Sequence, residues 1–115
     1  MVTSNRRQGF RRTLPLTEKE LSQSIVSEAQ KLGWLVNRPW LSKFSPAGFP
    51  DLVLVRDGVL AFIELKSESG KLTESQTRWL EALKQVPNVD VFVWRPSDLE
   101  TAYTYLVTAG GVVRP

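Results

Sequence analysis

The 115-residue sequence contains no cysteine and no histidine. These absences exclude disulfides, zinc sites of the Cys/His kind, thiol nucleophiles, haem held by His or Cys, and an imidazole general acid or base. Any chemistry must therefore use carboxylates, lysine, tyrosine, hydroxyl groups or a bound ion. A bound metal would have oxygen atoms as its side-chain ligands, which favours Mg²⁺, Mn²⁺ or Ca²⁺ over softer ions.

Long apolar segments are also missing. The longest clean apolar runs, residues 52–55 and 59–63, are far shorter than a transmembrane helix, and the N-terminus lacks the apolar core of a signal peptide. Hydrophobic residues make up 42% of the chain and charged residues 23%, which is typical of globular proteins. The sequence therefore predicts one soluble, cytoplasmic domain with no membrane contact.

Acidic residues are absent from the first 16 positions, which hold four of the 15 basic residues. The remainder of the chain is nearly neutral. A short basic arm suits a polyanionic partner such as nucleic acid, because arginines pair with phosphates and release counterions. A solvated chain end would have the same composition. We predict a flexible basic arm over residues 1–13 and a single domain over residues 14–115.

Capping boxes mark the starts of three predicted helices. Each box has a Ser or Thr at the N-cap and a Glu or Gln three residues later. The helices are expected to end near Gly33, near Lys84 and beyond Leu106. The capping pairs are Thr17 and Glu20, Thr73 and Gln76, and Ser97 and Glu100.

Four segments predict strands, the apolar runs of residues 52–55 and 59–63 and the mixed segments of residues 34–40 and 89–94. Asp57-Gly58 between the two apolar runs is a strong hairpin signal. The predicted element order is α-β-β-β-α-β-α. Since both faces of the hairpin are apolar, helices must cover both sides. The sequence therefore predicts an α/β fold with a central mixed β-sheet flanked by helices.

The hairpin places two acids opposite each other. If Asp57 and Gly58 form a two-residue turn, Asp51 faces Glu64, and Lys66 lies on the same face as Glu64. Like charges in opposed positions are destabilising, and a divalent cation would offset the repulsion. Alternatively, the hairpin end frays into water and Glu64 pairs with Lys66. The register alone leaves both interpretations open.

Two helical residues are further candidates. Glu28 lies within the apolar stripe of the first helix, where an acid needs a partner, although its head could also reach solvent at the edge of the stripe. Gln76 shares the sheet-facing stripe of the second helix, although it could simply cap the backbone of Thr73.

Three motifs together resemble the PD-(D/E)xK nuclease superfamily and, within it, the VRR-NUC domain (virus-type replication-repair nuclease) in its stand-alone phage and bacterial form. The resemblance covers about residues 17–107 and includes the segment of residues 91–99. The motifs are Gly48-x-Pro50-Asp51, Glu64-Leu65-Lys66, and Gly70-Lys71-Leu72-Thr73-Glu74-Ser75-Gln76.

The resemblance implies a restriction-endonuclease-like core and a phosphodiesterase that cuts DNA with Mg²⁺ or Mn²⁺. Asp51, Glu64, the backbone carbonyl of Leu65 and Glu28 would bind the metal, Glu28 directly or through water. Lys66 would orient or help to activate the attacking water, and Gln76 would position Lys66 or the water. The five catalytic candidates are Glu28, Asp51, Glu64, Lys66 and Gln76.

Stand-alone members resemble Holliday junction resolvases, which act as homodimers on branched DNA. The resemblance therefore implies a structure-selective endonuclease that works as a homodimer. Arg38, Lys43, Lys71 and Arg78 are candidates for phosphate contacts. Trp79 and Trp94 are expected to pack in the core. Core packing is also the first expectation for four other aromatic residues, for which interface or base-stacking contacts are the alternative: Trp34, Trp40, Phe44 and Phe49.

Two other classes of function compete with the nuclease. One is a non-catalytic module that binds branched DNA through the same fold and the basic arm. The other is a structural or assembly subunit that uses the α/β core alone. Because a fold hosts many functions, the choice depends on the site.

Overall fold

Over the part of the chain that the structure describes, the protein folds as a four-stranded sheet with three helices. The structure, a computed structural model, describes residues 16–39 and 46–109. The predicted arm over residues 1–13 and the candidates Trp40, Lys43 and Phe44 lie outside these ranges. In chain order the elements are α1 (Glu18–Lys31), β1 (Leu35–Asn37), β2 (Leu52–Arg56), β3 (Val59–Leu65), α2 (Glu74–Lys84), β4 (Asp90–Trp94) and α3 (Leu99–Thr108).

The strands lie in the order β1-β2-β3-β4. The first two pairs are antiparallel and β3 pairs with β4 in parallel, which confirms the mixed sheet and the element order. Asp57 and Gly58 both have positive φ, as a type I′ turn requires. The turn produces the predicted register, with Val55 opposite Leu60. The first strand is shorter than predicted.

Two of the three capping boxes are confirmed, at Thr17 and at Thr73. The third, with Ser97 as N-cap, is wrong. A short 3₁₀ turn over Pro96–Asp98 precedes α3, and both the N–H and the hydroxyl of Ser97 donate to the carboxylate of Glu68. Since its hydroxyl is committed to another loop, Ser97 does not cap α3.

Different elements pack on the two faces of the sheet. Helices α1 and α3 pack on one face, where the core lies, and Trp34 and Trp94 are buried in this core as expected. On the other face, Phe49 packs edge-on against Phe62 and against Trp79 of α2. None of the helices in the described ranges is long and apolar enough to cross a membrane.

Arg56, at the end of β2, joins the hairpin to the ends of α1 and α3. Its guanidinium donates to the carbonyls of Leu32 (2.9 Å), Val107 (3.1 Å) and Ala109 (2.6 Å). It also lies 4.6 Å from the centre of the Trp34 ring. A cation is favourable at helix C-termini, where carbonyls lack intrahelical partners. Arg56 therefore connects β2 to the C-terminal ends of α1 and α3.

Replacing Arg56 by methionine should lower the free energy of unfolding by about 2–3 kcal/mol, because charge-assisted hydrogen bonds to helix-end carbonyls are lost. Urea denaturation of the two proteins measures the difference. Lys84→Met, at an exposed position on α2, is the matched control and should change stability by less than about 0.5 kcal/mol. Equal midpoints for all three proteins would contradict the role of Arg56.

Candidate functional site

Two acids meet at the open end of the hairpin. The ladder between β2 and β3 runs to Leu52 opposite Ile63, so one further step brings Asp51 to Glu64. The Leu65 N–H donates to Asp51 Oδ2 (2.8 Å), which fixes the orientation of the Asp51 carboxylate. The N–H and C=O of a strand residue point toward the same neighbouring strand. The Leu65 carbonyl therefore faces the side on which Asp51 lies.

Glu64 is a buried acid, with only 1% of its surface exposed. Its Oε2 accepts a hydrogen bond from Gln76 Nε2 (2.9 Å) and lies 3.9 Å from Lys66 Nζ. Its Oε1 is buried and has no hydrogen-bond partner among the described residues. An unpaired buried carboxylate oxygen is costly, so this atom calls for a proton or a cation.

Gln76 caps α2 and also contacts Glu64. Its Oε1 accepts the N–H of Thr73 (2.8 Å) and closes the capping box, while its Nε2 donates to Glu64. Because the cap uses the amide oxygen, the amide nitrogen must face the carboxylate. The start of α2 therefore supplies a donor of fixed orientation to Glu64.

The segment before Asp51 is held against α2. Gly48 has φ +83°, and a Cβ built there would lie 2.5 Å from the backbone carbon of Ser75. Phe49 packs against the Trp79 ring with centroids 4.9 Å apart, and Pro50 is fully buried. A larger residue at position 48 would push this loop off the helix, so glycine allows the close approach that places Asp51.

Burial shifts both acids toward their protonated forms, and repulsion by Asp51 adds to the shift of Glu64. Burial, and after it the negative charge of Asp51, raise the pKa of Glu64 to about 8 against the opposing positive charge of Lys66. Burial also raises the pKa of Asp51, against the hydrogen bond from Leu65 and the charge of Lys66. At neutral pH the cation-free pair therefore carries fewer than two negative charges.

The structure does not bring Glu28 to these acids. Glu28 lies in a separate depression beside Ser24 and Tyr103, ten residues further along α1 than Glu18. Ten residues of helix span about 15 Å. Glu18, in the first turn of α1, instead lines the same cavity as Asp51, and its charge raises the pKa of Glu64. Sequence reasoning missed Glu18 because an acid in a first turn ordinarily complements the helix dipole.

The cavity beside Asp51 has a volume of about 610 Å³, within the usual range for ligand sites. Arg38 is the candidate phosphate contact that lines it, whereas Lys71 and Arg78 are exposed elsewhere. The lining residues are Glu18, Lys19, Ser22, Gln23, Arg38, Asp51 and Leu65. Acids and cations therefore face the same space.

The donor set fits a hard divalent cation. It offers the carboxylates of Asp51 and Glu64, including the unpaired Glu64 Oε1, and the Leu65 carbonyl. The described residues contain no group of three or more Asp, Glu, His or Cys side chains arranged around a metal position. Mg²⁺ is commonly held by one or two carboxylates and keeps several waters, so a pair is sufficient.

Comparison with known proteins gives a consistent result. Residues 41–98, just over half of the chain, match the model of the VRR-NUC domain family. A solved VRR_NUC domain is 24% identical with a TM-score of 0.63, over 78% of this chain and 98% of that one. A solved VRR_NUC domain protein is 19% identical with a TM-score of 0.59, over 81% and 92%. These two structures show the likeness of fold. No curated protein matches the sequence.

The pKa of Glu64 predicts how stability depends on pH without metal. Since the folded protein raises this pKa from 4.5 to about 8, the folded state binds the proton more tightly than the unfolded state. Stability is therefore lost as pH rises from about 4.5 to 8. Glu64→Gln removes the ionisation, so in EDTA it should be more stable than the parent at pH 8.5 by roughly 1–3 kcal/mol, and nearly equal at pH 4.5.

Urea unfolding at several pH values measures this difference. Glu81→Gln, at an exposed position on α2, is the matched control and should show no such pH dependence. A stability difference between Glu64→Gln and the parent that is the same from pH 4.5 to 8.5 would refute the prediction.

Proposed function

Since the chain belongs to the VRR-NUC family of nuclease domains, it is a DNA nuclease, and we propose that it cuts DNA internally with the help of Mg²⁺ or Mn²⁺. The observation that carries the metal dependence is the buried Glu64 beside Asp51, whose Oε1 has no hydrogen-bond partner among the described residues. Composition supports it, because a chain without histidine and cysteine needs another way to activate water.

Asp51, Glu64 and the Leu65 carbonyl would hold the ion. When bound, the ion lowers the pKa of a coordinated water and offsets the negative charge of the phosphate. Glu18 takes the place that the resemblance gave to Glu28, because Glu18 lines the cavity next to Asp51. From the first turn of α1 it would contact the site directly or through water.

Lys66 has the position needed to act on the phosphate or the attacking water. Its ammonium group is 3.9 Å from Glu64 Oε2, and its side chain is 12% exposed. A fixed positive charge stabilises the negative charge that develops as water attacks phosphorus and the ester oxygen leaves. Gln76 donates to the same oxygen, Glu64 Oε2, so it positions the carboxylate that faces Lys66.

The substrate is DNA whose backbone enters the cavity between α1 and the hairpin. Lys19 and Arg38 line this cavity, and cations at such positions hold phosphates without reading sequence. We further propose a preference for branched DNA of the Holliday-junction kind and a homodimer as the working form. A two-fold symmetric dimer would present two sites to the two related strands of a junction.

Asp51→Asn should reduce cutting by about 100-fold or more, because the substitution removes a charged ligand while keeping the shape. The purified parent and variant are incubated with labelled four-way junction, flap, single-stranded and duplex DNA, in Mg²⁺, Mn²⁺ or EDTA. We expect metal-dependent cutting by the parent, fastest on the junction. A parent that binds junctions without cutting would favour the non-catalytic module, and one that does neither would favour a structural subunit.

A pair of identical substitutions on α1 separates the two candidate acids of that helix. Glu18→Gln should lower cutting by about tenfold or more, since it removes a charge beside the metal site. Glu28→Gln, at a position in another depression, should cut within about twofold of the parent. Initial rates at saturating Mg²⁺ give the comparison. A large loss with Glu28→Gln and none with Glu18→Gln would restore the role that the sequence assigned to Glu28.

A further inference from the structure

We propose that Arg95 is a positioning residue for Lys66, because its guanidinium holds the loop of residues 67–70 against the lysine side chain. The inference rests on the proposed function, which gives Lys66 a part in the reaction. Arg95 is half-buried and comes directly after β4. It was not among the candidates that the sequence suggested.

The backbone of Lys66 is fixed by the end of β4. The Lys66 N–H donates to the carbonyl of Trp94 (3.1 Å), which extends the parallel ladder by one bond beyond β3. Arg95 is the next residue after Trp94, and its own N–H donates to Asp98 Oδ2 (2.9 Å). The guanidinium therefore starts from a backbone position that is anchored on both sides.

A single nitrogen of Arg95 contacts three backbone carbonyls of the loop. Arg95 Nη1 lies within hydrogen-bond distance of the carbonyls of Ser67 (2.8 Å), Glu68 (3.3 Å) and Gly70 (2.6 Å). Three carbonyls converge on one donor only if the loop curls around it. Because the guanidinium is always charged and planar, these bonds are stronger than those of a neutral donor.

The curled loop lies beside the lysine side chain. A Cβ built on Gly70 would lie 3.5 Å from Lys66 Cδ and 2.9 Å from Ser67 Oγ. The aliphatic stem of Lys66 therefore runs beside Gly70, and the lysine side chain as a whole is only 12% exposed. A lysine in water samples many rotamers, and contact along its stem restricts them. The loop therefore directs the ammonium group toward Glu64.

A second set of hydrogen bonds, between Glu68 and Ser97, holds the same loop. The carboxylate of Glu68 accepts hydrogen bonds from the Ser97 N–H (3.0 Å) and the Ser97 hydroxyl (2.7 Å). Arg95 and Ser97 thus bind the loop from one short segment after β4. This arrangement explains why Ser97 does not cap α3.

Arg95→Met is the direct test. We expect kcat on the four-way junction to fall about tenfold or more while KM changes by less than about threefold, because a loose lysine affects the reaction more than binding. Arg95→Lys should give an intermediate kcat, since an ammonium keeps the charge without the planar fork. Lys84→Met, exposed on α2, is the matched control and should cut like the parent.

A readout that needs no cutting separates this inference from the proposed function. In carbon–proton NMR spectra, the two Hε protons of an immobilised Lys66 should have distinct shifts, and the Lys66→Arg variant identifies the signal. In Arg95→Met the two shifts should merge toward those of a free lysine. If the parent cuts no DNA but the signal behaves in this way, the proposed function fails and the positioning role stands.

A parent-like Lys66 signal in Arg95→Met overturns the inference. If the parent cuts DNA, a kcat of Arg95→Met equal to that of the parent also overturns it. If Arg95→Met does not fold, Glu68→Ala tests the same loop by removing the hydrogen bonds between Glu68 and Ser97. It should lower kcat severalfold and move the Lys66 signal in the same direction. If Arg95→Met does not fold and Glu68→Ala behaves like the parent, Arg95 is needed for folding only and the inference is overturned.

Discussion

The burial of Glu64 is the constraint on which the other features of the site depend. A carboxylate that is 1% exposed at the end of a central strand is stable only if the surrounding elements supply partners for it. α2 supplies the amide of Gln76, and β3 itself continues into Lys66. Its Oε1 keeps no partner within the described residues. On the proposed function, the same deficit that destabilises the cation-free fold would favour the binding of a cation, so stability would be given up where binding is needed.

Features set by neighbouring residues could be predicted from the sequence. The Asp57-Gly58 turn determined the hairpin register, and the register brought Asp51 to the level of Glu64, because a two-residue turn leaves no freedom in strand pairing. The box at Thr73 likewise placed Gln76 at the start of α2. Such local rules predicted the mixed sheet and the pair of acids without knowledge of how the helices pack.

Features set by packing could not be predicted in this way. The helical spacing grouped Glu28 with the apolar residues of α1, but only the direction in which α1 crosses the sheet decides which end of the helix meets Asp51. Glu18 lies at that end, and its position in a first turn made it look like an ordinary helix-start acid. Ser97 failed as a cap for the same kind of reason, since Glu68, 29 residues earlier in the chain, uses its hydroxyl.

The site therefore depends on long-range contacts that turn local motifs into a fixed geometry. Two arginines, each at the end of a strand, use backbone carbonyls for this purpose. Arg56 binds carbonyls at the ends of α1 and α3, away from the acids, and Arg95 binds those of the loop next to Lys66. Arginine suits both places because its planar group spans several acceptors while remaining charged. Where the chain has a small core, such charged staples hold loops and helix ends that apolar packing alone would leave mobile.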